Sequence, residues 1–132
     1  MTKVTRIAWD EEVEKLSEKI KSFIAPEVVK EKVITGEWKL FEVLSEEQRL
    51  GVFITRIDVN YDGTRELVVM FTMSQPGLTD RLSPVLLPVY EEVARLEGLD
   101  AVRMHIVHKP IEEFIIQRGY ELLEKIYIKK VK

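Results

Sequence analysis

The stretch Ser74-Gln75-Pro76-Gly77-Leu78-Thr79-Asp80-Arg81-Leu82-Ser83-Pro84 joins a run with strand character to a run with helical character. A junction of this kind can hold a phosphate, because the first N–H groups of a helix lack internal partners and point at the anion. Gly77, Thr79, Arg81 and Ser83 are the residues an anion would meet there: a backbone free of Cβ, two hydroxyls and a guanidinium. Against a cradle stand Pro84 and Pro88, which lack N–H groups. Gln75-Pro76-Gly77-Leu78 has the Pro-Gly centre of a tight turn.

Proton transfer has few candidates. Glu66 and Asp58 fall on strand-like runs, where carboxylates are commonly solvated. His105 and His108 lie three apart on another such run, so they point to opposite faces and share no metal. Glu66 and His108 remain as weak catalytic candidates. The chain has no cysteine, which removes disulfides, thiolate nucleophiles and Cys-type zinc sites. It has no Walker-type glycine loop, no His-Glu-x-x-His and no serine flanked as a nucleophile elbow.

The elements that must position these residues belong to one domain, residues 1–132. With 45% hydrophobic and 33% charged residues, the composition is that of an ordinary globular fold. A net charge of -3 gives no basic field for nucleic acid, and Trp9, Trp38, Phe53 and Tyr61 are too scattered for a base-stacking platform. The opening MTKVTRIAWDEE has no apolar core of signal-peptide length, and no run approaches the roughly 18 apolar residues of a membrane span. The expectation is a soluble cytoplasmic protein with no membrane partner.

Residues 4–8 read as a first strand. Asp10 offers an N-cap to a helix with Val13, Leu16, Ile20, Phe23 and Ile24 on one face, and Pro26 starts a second helix ending at Gly36. Residues 38–44 and 50–59 read as strands joined by Glu46-Glu47-Gln48-Arg49, with Asn60-Tyr61-Asp62-Gly63 as the next turn. In the strand 65–74, Leu67, Val69, Phe71 and Met73 are expected on one face and Val68 and Met70 on the other, so it is central. A helix over 84–98, a strand over 101–108, a short helix over 110–119 and a last strand or hairpin over 120–131 complete the order β-αα-β-β-β-α-β-α-β. Strand, helix and strand between 65 and 108 favour a parallel crossover.

This order resembles the GNAT acyltransferase superfamily, with local likeness in LLPVYEEVARLEGLDAVRMHIV and in PIEEFIIQRGYELLEKIYIKK. The resemblance implies an α+β fold: a mixed central sheet, antiparallel meander plus β-α-β crossover, with helices on both faces. It also implies a place for acetyl-CoA, whose pyrophosphate the family grips with Arg or Gln, two residues, Gly, one residue, then Gly or Ala. Here the two glycine positions fall on Arg81 and Ser83 in one register and on Leu82 and Pro84 in the other, so the motif is absent. The family's proton-donating Tyr after Phe is Ile115 after Phe114, and Tyr120 takes the family's aromatic packing position.

The leading expectation is therefore a GNAT-fold protein that is not a working acetyltransferase. It would use no cofactor and act as a binding, regulatory or assembly module of the kind found among bacterial and bacteriophage accessory proteins. A divergent acetyl-CoA-dependent N-acyltransferase and an unrelated α+β binding domain stand as alternatives. If the cleft is unused, Met70, Met73, Met104 and Ile106 need cover, from Arg81 and Leu82 folding in or from a protein partner. A homodimer through EKIYIKKV, where Tyr127 and Val131 alternate with lysines, is one such partner.

Overall fold

The structure is a computed structural model that describes residues 2–20, 24–105, 115–123 and 127–131. Its elements are β1 (Thr2–Arg6), α1 (Glu11–Ser17), α2 (Pro26–Ile34), β2 (Lys39–Ser45), β3 (Gln48–Val59), β4 (Arg65–Ser74), α3 (Thr79–Leu96) and β5 (Ala101–Met104). The strands form one sheet whose spatial order is the sequence order, β1 to β5. The first three pairings are antiparallel, and β4 with β5 is parallel. A parallel neighbour needs a crossover, and α3 supplies it.

Local chemistry sets the helix starts. Asp10 caps α1 by accepting a hydrogen bond from the Val13 N–H at 2.9 Å. Pro26 opens α2, where its missing N–H leaves no helical bond unmade. α1 and α2 pack on one face of the sheet, placing Val13, Leu16 and Val29 against Leu40, Val52, Ile54 and Met73. α3 covers the other face with Leu82, Val89, Tyr90, Val93 and Ala94 against Phe41, Phe53, Leu67 and Val69. There Phe53 stacks on Phe41 at 5.2 Å and meets the Tyr90 ring edge-on at 5.0 Å.

The structure corrects the alternation expected along β4. Ile54 pairs with Phe71 and its neighbour Thr55 pairs with Val69, so Met70 is an extra residue on β4. One inserted residue reverses the phase of every side chain beyond it. Leu67 and Val69 accordingly pack under α3, whereas Phe71 and Met73 pack under α1 and α2, with Met70 beside them.

Three boundaries also differ from expectation. α3 starts at Thr79 and contains Pro84 and Pro88, instead of starting at Pro84. α1 stops at Ser17, although Ile20 and Ile24 still pack on its cluster. β5 comprises Ala101–Met104, and His108 lies outside the described residues. Of the expected helix over 110–119, residues 110–114 lie outside them too. No strand forms among the described residues of 120–131. Among the described residues, no helix is long and apolar enough to cross a membrane.

Candidate functional site

Among the described residues, β4 and β5 pair through Glu66–Val69 and Ala101–Met104. β4 continues to Ser74, so its last five residues have no partner on that side among the described residues. The Met70 bulge in the β3–β4 pairing falls at the end of this ladder, and β4 runs on from it to the Ser74–Pro84 junction.

At that junction Gln75, Pro76, Gly77 and Leu78 form the expected turn, closed by the Leu78 N–H donating to the Gln75 carbonyl at 3.0 Å. Gly77 has φ +77°, the left-handed conformation that the third position of such a turn requires. α3 then starts with no side-chain cap. The N–H groups of Thr79 and Asp80 have no acceptor among the described residues. Pro84 lies beyond the first turn, so the expectation that proline strips these donors is corrected.

The side chains of the junction are engaged within the chain. Thr79 Oγ1 and Ser74 Oγ share a hydrogen bond of 2.7 Å, and Ser83 Oγ donates to the Thr79 carbonyl at 2.9 Å. Arg81 Nη1 donates to Gln48 Oε1 at 2.6 Å. Gln48 follows the two-residue turn Glu46-Glu47, both with positive φ, 51° and 68°, where side chains are strained. Asp80 places a carboxylate in the first turn, which suits the helix dipole and repels a phosphate.

Leu82 is 2% exposed beneath this turn, held by Gly51. A Cβ on Gly51 would stand 2.5 Å from Leu82 Cδ2 and 2.6 Å from the Met73 carbonyl oxygen, so only glycine lets β3, the end of β4 and α3 approach this closely. Met73 and Met70 pack in the α1–α2 cluster and Met104 packs in the α3 cluster, whereas Ile106 lies outside the described residues.

Glu66 is not free for proton transfer. Arg103 grips it through two bonds of 2.7 and 3.1 Å, and Asn60 donates to it at 2.9 Å; the guanidinium first and the amide second hold its carboxyl below the usual range. Asp58 is paired with Arg56 at 2.9 Å. His105 is exposed and outside any strand. Tyr120 donates to Glu91 at 3.1 Å, and Glu91 also accepts both bonds from Arg118. Burial, and then the Glu91 charge, pushes the Tyr120 phenol up. Ile115 is buried. Among the described residues no cluster of His, Cys, Asp or Glu could hold a metal ion.

Sequence reasoning missed one buried hydroxyl. Tyr90, on α3, places its hydroxyl 2.5 Å from Thr72 Oγ1, on the part of β4 beyond its ladder with β5. Burial pushes its phenol up to about 12. The signal was a tyrosine on the apolar stripe of a helix, since a buried phenol needs a hydrogen-bond partner.

No family model and no curated protein matches the sequence. Solved structures do. A protein described as an acetyl transferase from Pyrococcus furiosus superposes with TM-score 0.69 at 20% identity, over 99% of this chain and 100% of its own. AAC(6')-Iy in complex with the bisubstrate analog CoA-S-monomethyl-acetylneamine gives TM-score 0.73 at 10% identity, over 100% and 99%. An acetyltransferase from Clostridium acetobutylicum, solved with acetyl-CoA, gives TM-score 0.65 at 8% identity, over 99% and 97%. These matches remove the alternative of a different α+β fold. With a mixed five-stranded sheet, helices on both faces and a parallel β4–β5 pair joined by α3, the chain has the GNAT acetyltransferase fold.

Proposed function

We propose that this chain is a binding, regulatory or assembly module built on the GNAT fold and not a working acetyltransferase. The observation that carries the reading is the start of α3. Where the resemblance calls for two glycines against a pyrophosphate, Arg81 is bonded to Gln48, Leu82 is buried and Ser83 is bonded to Thr79, with the Asp80 carboxylate alongside. These residues do not fit a pyrophosphate. The carboxylates on the sheet support the same reading, since Glu66 and Asp58 are each held by an arginine.

Calorimetry with acetyl-CoA and with free CoA tests this directly. The expected result is no saturable binding up to about 1 mM, the upper end of ordinary substrate affinities. Saturable binding that Arg81→Ala abolishes, with turnover on any amine, overturns it.

One observation favours the second reading, a divergent acetyl-CoA-dependent N-acyltransferase. The first turn of α3 is free of proline, and two of its N–H groups have no acceptor among the described residues, close to the end of β4. In that case the N–H groups of Thr79 and Asp80 replace the missing glycine loop as the anion's donors, and two neighbours of this fold, described with a CoA bisubstrate analog and with acetyl-CoA, supply the ligand class.

For the module reading the partner is a protein, and a second copy of this chain is the first to test. Tyr127, Ile128 and Val131 are exposed large side chains near the end of the chain. Sedimentation should show a concentration-dependent dimer that removal of residues 125–132 weakens. A monomer mass at every concentration refutes the homodimer.

A further inference from the structure

A cavity of about 810 Å³ lies on the α1–α2 face at the β1–β2 side of the sheet, two strands away from β4. That volume is within the usual range for small-molecule sites. Its apolar walls include Ile7, Trp9, Ile34 and Trp38, and Trp9 and Trp38 are both of the chain's tryptophans.

Its polar wall is Glu14. The Trp9 indole N–H donates to Glu14 Oε2 at 2.8 Å, which fixes the carboxylate at the wall. Lys30 Nζ donates to Glu14 Oε1 at 3.1 Å, and both side chains remain close to half exposed, at 40% and 45%. Lys30 first and Trp9 second hold the Glu14 carboxyl below its ordinary range, so it is ionised at neutral pH. Each oxygen keeps a further lone pair for another donor.

The charge around the cavity sets the sign of its ligand. Asp10 is used by the α1 cap and by Arg49. Glu11, also at the cavity, forms no ion pair among the described residues. Arg6 also lines the cavity, although it shares a strand face with Val4 and both pair with β2 residues of the α3-side core. Asp10, Glu11 and Glu14 outnumber Arg6 and Lys30 in the lining, and the walls include indole, a combination that attracts organic cations through both Coulomb and cation–π terms.

We propose that this cavity binds a small organic cation, an alkylammonium whose charged head takes the place of the Lys30 ammonium on Glu14 and whose apolar body lies against Trp9 and Trp38. Lys30 is then an internal competitor, and the site is independent of whether the chain transfers acyl groups.

Because both tryptophans line the cavity, intrinsic fluorescence reports its occupancy. The probes are hexyltrimethylammonium, hexylammonium and the neutral hexan-1-ol. Saturable fluorescence changes are expected with the two cations, with hexan-1-ol at least about tenfold weaker, a difference of about 1.4 kcal/mol. Glu14→Gln should weaken both cations about tenfold or more while leaving hexan-1-ol unchanged. Lys30→Met should tighten both cations severalfold, an effect that no purely structural role of Lys30 produces. If Glu14→Gln melts too low to titrate, Lys30→Met carries the test alone. No saturable change with either cation overturns the proposal, as does equal affinity for hexan-1-ol, an unchanged affinity in Glu14→Gln, or weaker cation binding in Lys30→Met.

Discussion

Gly51→Ala is the substitution that strains the candidate site most directly. The new Cβ would stand 2.6 Å from the Met73 carbonyl oxygen and 2.5 Å from Leu82 Cδ2, with the Ser74 Cα at 3.2 Å. A leucine methyl can swing aside, but two of the three obstacles are backbone atoms of β4 and cannot. Overpacking of this kind costs about 2–3 kcal/mol. With about 2.1 cal/mol/K of unfolding entropy per residue, a chain of 132 residues loses about 4 °C per kcal/mol, so Tm should fall by about 7–11 °C. Differential scanning calorimetry measures the shift. A double-mutant cycle with Leu82→Ala separates the contacts: relief of the Leu82 clash appears as coupling between the two sites, and the strain against β4 remains in the double variant. A Gly51→Ala protein that melts within 2 °C of the parent would refute the close approach of β3, β4 and α3.

Three further outcomes are expected. Glu47→Gly, at φ +68° in the β2–β3 turn, should stabilise the fold by about 0.5–1 kcal/mol, seen as a higher urea midpoint. Glu66→Gln should cost about 1 kcal/mol at neutral pH. Because Arg103 and Asn60 depress the Glu66 pKa, that contribution is present above its ordinary value of 4.5 and lost as pH falls below it, so parent and variant converge in acid. Tyr90→Phe should cost about 1 kcal/mol through the lost Thr72 bond. Since the phenol is pushed up from 10.0 to about 12, the parent's advantage should hold below pH 10 and shrink as pH rises towards 12, as followed by urea unfolding at each pH.

The meander was legible in the sequence because its signals are local and mutually consistent. Asp62 and Gly63 punctuate the β3–β4 turn, and the apolar runs on either side are long enough to be strands. The parallel pairing of β4 and β5 followed from a helix between two strands. The phase of β4 was not legible, because Met70 and Phe71 are both apolar and an inserted apolar residue leaves a two-sided strand looking unbroken. The start of α3 was masked by proline. Pro84 suits a first helical position, yet Thr79–Ser83 already form a turn, and the helix continues past two residues that cannot donate its bonds. The contacts of Arg81 with Gln48 and of Trp9 with Glu14 join residues whose proximity only the folded chain creates.

The four-position ladder between β4 and β5 bears on the order in which the molecule assembles. β2, β3 and β4 are stitched by sequential antiparallel pairs through two short turns, so each finds its neighbour with little chain to close, whereas residues 7–38 separate β1 from β2. β5 reaches β4 only after the whole of α3 has been laid across the sheet, and four ladder positions and the crossover's packing then hold it. With β1, it should be among the last strands to join and the first to leave, with the amide protons of Ala101–Met104 exchanging through a smaller opening than those of β3. The sheet is then held most firmly at β2 to β4, and the flank of β4 that leads to the candidate junction borders one of its less cooperative edges.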